Sequence, residues 1–159
     1  MVSEKEIWEL LEDVCDPEVP VLSILDLGIV RDVKINGNAC EITITPTYSG
    51  CPAMQVIEQG ILEKLEGKIQ VTIKTVLSPA WTTDWLSENG RIKLRAYGIA
   101  PPENEVDKSV LFAKPPIVPC PLCKSTNTRM VSQFGSTACK AQYQCNDCQE
   151  PFDYFKCLK

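Results

Sequence analysis

Two Cys-x-x-Cys pairs, Cys120-Pro-Leu-Cys123 and Cys145-Asn-Asp-Cys148, stand 21 residues apart near the end of the chain. That spacing is close to the spacing of zinc ribbons, in which two thiolate knuckles clasp one tetrahedral ion. A segment of about forty residues cannot bury enough apolar surface to hold itself, so a structural ion contributing on the order of 10 kcal/mol is the expected reason it folds. The chain has no histidine. Ser-His-Asp and Cys-His catalysis, zinc-protease helices and two-His iron triads are thereby excluded, and any metal must sit on sulfur or oxygen. Cys120, Cys123, Cys145 and Cys148 are therefore the expected ligands of one zinc. The same four thiolates suit a single iron, as in a rubredoxin electron carrier, and with Cys139 and Cys157 they suit an iron–sulfur cluster. Alternatively, Cys139 and Cys157 are small buried hydrophobes.

Nine cysteines, an odd number, with no secretory hydrophobic stretch at the amino terminus argue for reduced thiols and a cytoplasmic protein. The 159 residues suit one ordinary domain plus a small metal-stapled module. With 16 Lys and Arg against 21 Asp and Glu, the balance opposes nonspecific nucleic-acid binding, which needs cations to displace phosphate counterions. No apolar run reaches the ~20 residues that span a bilayer, so neither nucleic acid nor membrane is expected as a partner.

Ser3 and Glu6 make a capping-box pattern ahead of Ile7, Leu10, Leu11 and Val14, which repeat at helical spacing up to Pro17. Asp16-Pro-Glu-Val-Pro20 is then a stiff loop, because two prolines remove donors and restrain their predecessors. Residues 28–33 and 39–45 flank Asn36-Gly37-Asn38 as a hairpin. Pro52 opens a second helix with a stripe of Met54, Ile57, Ile61, Leu62 and Leu65, ended by Gly67. Residues 69–77 alternate as a strand parallel to the preceding one, since a helical crossover joins them. Trp81, Trp85, Leu86, Ile92 and Leu94 predict a last helix broken at Asn89-Gly90. The fold class is thus α+β: a helix-packed three-stranded sheet domain at 1–98, a Pro-rich linker at 99–119 and a zinc-ribbon-like domain at 120–159. Strands are expected over 128–134, 140–144 and 152–156.

Cys51 precedes the second helix, where unpaired amides and the positive dipole end favour thiolate and lower the thiol pKa. Cys15 and Cys40 read as buried packing residues. Asp16 and Glu18, two carboxylates on a stiff loop, suit either a hard cation or the capping of a turn, and Asp26 is equally ambiguous.

Asp16-Pro-Glu-Val-Pro20, Ile24-Leu-Asp-Leu-Gly28-Ile-Val and Thr45-Pro-Thr-Tyr-Ser-Gly-Cys-Pro52 resemble the metal–sulfur cluster assembly domain of SufT and of cytosolic iron–sulfur targeting factors, over residues 4–98. Phe134-Gly-Ser-Thr-Ala-Cys-Lys140 and Cys148-Gln-Glu-Pro-Phe-Asp-Tyr-Phe-Lys-Cys157 narrow the resemblance to the PaaD (PaaJ) family of bacterial phenylacetate degradation. The resemblance implies an accessory factor of phenylacetyl-CoA epoxidase with no independent catalytic activity, assisting installation or repair of iron or an iron–sulfur cluster. Cys51 is then the functional thiol and transient ligand, with Asp16, Glu18 and Thr45 as neighbours. Epoxidase subunits and iron–sulfur assembly proteins are the implied partners, and a homodimer is compatible with the reading. An electron carrier to the oxygenase and a non-catalytic scaffold subunit are the competing functions. Leu158 departs from the histidine expected after the last cysteine.

Overall fold

A computed structural model describes residues 1–102 and 117–156, which fall into two compact units, Met1–Gly90 and Arg91–Lys159. Residues 103–116 of the expected linker, together with Cys157 and Leu158, lie outside the described residues.

The first unit opens with α1 (Glu4–Leu11). Its capping box is formed as the sequence predicts: the Glu6 amide donates to Ser3 Oγ at 3.3 Å and the Ser3 amide to Glu6 Oε2 at 2.7 Å. Two first-turn donors are thus satisfied reciprocally, and Ile7 and Leu11 are driven into the core. The helix stops three residues short of Val14, which is nevertheless buried. From there the chain doubles back. The Asp16 amide donates to Leu22 O at 3.0 Å and the Ile24 amide to Val14 O at 2.8 Å, closing the proline segment into a loop.

Strands β1 (Val30–Asn36) and β2 (Ala39–Ile44) pair antiparallel around Gly37-Asn38, with Gly37 at φ +61. A positive φ is what a two-residue hairpin turn demands, and glycine supplies it without a Cβ clash. Helix α2 (Ala53–Leu65) then returns the chain to β3 (Gln70–Thr75), which runs parallel to β2. Sheet order is β1-β2-β3. Cys40, Ile42 and Ile44 on one face of β2 are buried, as are Ile57, Ile61 and Leu65 of α2. Period 2 in the strand and 3.6 in the helix place both apolar sets in one core.

Beyond β3, a 3-10 turn at Thr83–Trp85 leads to α3 (Glu88–Tyr97). The break expected at Asn89-Gly90 does not occur. Ser87 Oγ accepts the Gly90 amide at 2.9 Å, so this glycine lies in a capped first turn, where it leaves the helix intact. Gly28, at φ +70, faces the same region: a Cβ there would lie 2.5 Å from Trp85 O, so only glycine fits.

In the second unit β5 (Thr128–Ser132), β6 (Lys140–Cys145) and β7 (Pro151–Phe155) form an antiparallel sheet. A fourth strand joins it. β4 (Ile99–Ala100) pairs parallel with β7, giving the order β4-β7-β6-β5, although composition places residues 99 and 100 in the linker. Two residues ahead of Pro101-Pro102 show no periodicity; the bare edge of β7 is what makes them a strand. Val118, also expected in the linker, is fully buried beside Ala100, Cys120, Tyr143 and Tyr154. Tyr143 stacks on Phe152 with centroids 5.7 Å apart and meets Tyr154 edge-on at 5.6 Å, so aromatic packing supplies the ribbon's small core.

Candidate functional site

The ribbon brings Cys120, Cys123, Cys145 and Cys148 together, with all four Sγ atoms within 4.8 Å of one another. Cys120 and Cys148 Sγ are 3.8 Å apart, and Cys123 and Cys145 Sγ 3.5 Å. A tetrahedron of sulfurs about 2.3 Å from zinc has edges of about 3.8 Å, so the donor set and its spacing fit that ion. The two knuckles are built alike. The Cys120 amide donates to Ser125 O at 2.9 Å and the Cys145 amide to Glu150 O at 3.0 Å, each five residues on. Lys124 and Gln149, directly after the second cysteine of each pair, share φ +65. Among the four thiols, the Cys148 amide heads the donors that bring Cys145 down to about 7. Cys148, despite a hydrogen bond from the Glu150 amide, is pushed up to about 12 by desolvation and by the thiols around it.

A polar clamp that the sequence does not announce joins the knuckles from outside. Asp147 accepts Ser125 Oγ on one carboxylate oxygen and Asn127 Nδ2 at 3.0 Å on the other, and Asn146 Nδ2 donates to Asn127 Oδ1 at 3.1 Å. Short polar residues inside the second Cys-x-x-Cys pair and just after the first are its only signal. Cys139 lies outside the four-thiol group; it is buried, its Sγ 3.1 Å from Thr137 Oγ1.

In the first unit the parallel β2-α2-β3 crossover sets the carboxyl end of β2 beside the amino end of α2, and Thr45 and Cys51 flank that turn. Cys51 is 8 % exposed. Its thiol is pushed up, contrary to the expected lowering. Burial is the largest cause; donors from the Ala53 amide and the Tyr48 side chain pull the other way, and the charges of Glu18 and Asp16 add to the rise. The charges of Glu18 and Asp16 thus reach Cys51, and Tyr48 is a contact the sequence does not single out. Cys40 is buried as predicted, whereas Cys15 is exposed because α1 ends before reaching it.

The carboxylates divide by role. Asp16 Oδ1 accepts the amides of Glu18 at 2.7 Å and Val19 at 3.2 Å, so it fixes the loop that carries Glu18. Asp26 accepts the Ser23 amide at 3.1 Å and Ser87 Oγ at 3.1 Å, which ties its loop to the start of α3. Both are contacts of a loop cap. Thr45 is 1 % exposed, and its amide donates to Ile29 O at 2.8 Å. Its Oγ1 is buried with no hydrogen-bond partner among the described residues. An orphaned hydroxyl costs ~1–3 kcal/mol, and such an atom is a natural donor or acceptor for a group brought in from outside.

Residues 4–77 match the family described as "Iron-sulfur cluster assembly protein", and residues 104–156 match "PaaD zinc beta ribbon domain". The chain is 50% identical over 155 residues to an Escherichia coli protein named as a subunit of the "Putative 1,2-phenylacetyl-CoA epoxidase", covering 96% of this chain and 92% of that one. The chain belongs to the PaaD family. Its first module alone is 31% identical to the "Fe-S protein maturation auxiliary factor" of Porphyromonas gingivalis, over 58% of this chain and 90% of the relative. A crystal structure of a DUF59 domain from Bacillus anthracis shares its fold, with TM-score 0.54 and 30% identity over 57% of this chain and 90% of that one. Both PaaD modules therefore have their own relatives: Asp16, Glu18, Thr45 and Cys51 lie in the first, and the four clustered cysteines in the second.

Proposed function

We propose that this protein is a maturation factor of the phenylacetyl-CoA epoxidase system, delivering or repairing iron or an iron–sulfur cluster for an oxygenase subunit. Cys51 is the transient ligand, and the zinc ribbon is the structural module. The observation that carries the proposal is a buried thiol whose ionisation is opposed by burial and by the charges of Glu18 and Asp16, with an orphaned Thr45 hydroxyl on the same turn. Burial chiefly keeps the proton on sulfur, and a cationic cargo offsets the charges of Glu18 and Asp16 that add to it. As the metal–sulfur bond forms, the S–H bond breaks and its proton leaves to solvent. When the cargo departs the thiol regains a proton, so a single soft ligand suits release better than a closed four-cysteine cage does. Glu18 supplies a hard oxygen donor, and Asp16 holds the loop in place. The partners under this reading are the epoxidase subunits and iron–sulfur assembly proteins of the cytoplasm.

Iron in the four-cysteine site would instead make the ribbon an electron carrier. Metal analysis of anaerobically purified protein separates the two. The maturation reading expects about one zinc per chain, no visible ferric-thiolate absorption from the ribbon, and labile iron that disappears in Cys51→Ala. Stoichiometric iron that survives Cys51→Ala and is lost in Cys145→Ser would establish the carrier reading.

A further inference from the structure

The two edges of the first unit's sheet are unlike. β1 is guarded: its register shifts between Val30 and Asp32, Lys34 pairs with Asp32 at 3.0 Å, and the Arg31 guanidinium lies 3.7 Å over the Trp85 ring. Bulges and charges of this kind are how sheet edges avoid adding a strand. β3 has only Lys74. Its register with β2 is unbroken over six pairs, and among the described residues no strand pairs with its outer side. Val71 and Ile73, opposite buried Cys40 and Ile42, face the same side of the sheet as α2 and are only half-buried. Thr75 Oγ1 reaches Glu58 Oε1 at 3.4 Å, confirming which way that face points.

Alongside the bare edge runs a cavity of about 370 Å³, lined by Gln59, Leu62, Glu63, Glu66, Ile69 and Val71 among others. Gln59, Leu62, Glu63 and Glu66 recur at helical spacing, so one flank of α2 forms a shelf beyond β3. Val56 and Leu62 on that helix are 56% and 43% exposed. The lining holds two carboxylates and no cation, and Lys64 is drawn away to Asp13 at 3.0 Å.

We infer that β3 is a strand-addition site for an extended segment of a partner protein that presents apolar and basic side chains together on one face, at every second position. Main-chain hydrogen bonds to the outer edge of β3 supply affinity. The apolar side chains pack on Val71, Leu62 and Val56, and the Lys or Arg side chains meet Glu63 and Glu66. Glu63 and Glu66 lie at the carboxyl end of α2 whereas the Cys51 turn precedes its amino end, so docking and cargo binding are separable by mutation of these two residues.

The test uses the full chain and two synthetic octapeptides with Thr at every second position; the positions between carry two Val and two Lys in the Val-Lys peptide, and two Val and two Glu in the Val-Glu peptide. The Val-Lys peptide should slow hydrogen exchange of the β3 amides, residues 70–75, at least tenfold, and N-methylating its alternate amides should abolish the effect. Glu63→Lys combined with Glu66→Lys should weaken binding at least tenfold with an unchanged melting temperature, since both side chains are at the surface. Equal binding of the two peptides, or no slowing at residues 70–75, overturns the proposal. So does a concentration-dependent dimer in which those amides are already protected without peptide, because a second copy would then be the occupant.

Discussion

Cys51 shows how magnitudes decide a thiol's character. A helix terminus favours an anion by ~0.3–1 kcal/mol at a surface site, less than one pKa unit, whereas burial raises a fully buried thiol by several units. The position of Cys51 before a helix is legible in the sequence, but its burial is not, because closure of the turn depends on distant segments. In native protein, limited alkylation followed by mass spectrometry should therefore modify exposed Cys15 before Cys51, the reverse of what helix placement alone predicts. The Cys51 rate should also keep rising above pH ~8.5, where a free thiol is already half ionised. Earlier labelling of Cys51, or a plateau below that pH, would show a preformed thiolate. Thr45 yields a second residue-scale prediction. Thr45→Val removes a buried, unpartnered hydroxyl, so the first unit should gain about 1 kcal/mol in denaturant unfolding while losing bound iron. A loss of stability would mean that the hydroxyl already has a partner within the fold.

At the scale of elements, periodicity finds what repeats and misses what does not. The capped start of α1, the Gly37 hairpin, α2 and the parallel β3 all carry a period or a turn signal and form as read, whereas α1 ends at Leu11, before the Val14 that its period includes. β4 has two residues and no period, and exists because β7 offers an unpaired edge. The knuckle clamp is equally hidden, since Ser125 and Asn127 meet Asp147 only after the ribbon closes. It has a consequence for metal retention. Asp147→Ala leaves all four ligands in place but frees both donors, so zinc transfer to a chromophoric chelator should accelerate at least tenfold, within the range of ~10–100 known for outer-shell partners. Hydrogen bonds from Ser125 and then Asn127 hold the Asp147 carboxyl below the usual carboxylate range. Its contribution is therefore present above the unfolded-state value, and is lost as pH falls through the lower folded-state value. An unchanged transfer rate in the variant would assign retention to the thiolates alone.

For the whole molecule, two compact units with separate cores predict two folding events. Cys145→Ser, or zinc chelation, should abolish exchange protection across residues 120–156 while amides of β1, β2 and α2 keep theirs. Loss of protection in both units would show that the ribbon is needed for the first to fold. The cysteine spacing and the motifs around Cys51 make both modules legible in the residues themselves, because metal ligands and tight turns fix residue identity locally. In the proposed maturation role, Cys51 serves assembly of the oxygenase and not its catalytic cycle. It is tested most directly by producing the epoxidase with Cys51→Ala in place of the wild-type chain and measuring iron per oxygenase subunit. That oxygenase should be iron-poor and inactive, whereas oxygenase matured with the wild-type chain and then purified away from it should turn over repeatedly. Normal iron content in the Cys51→Ala background, with turnover that stops whenever this protein is withdrawn, would contradict it.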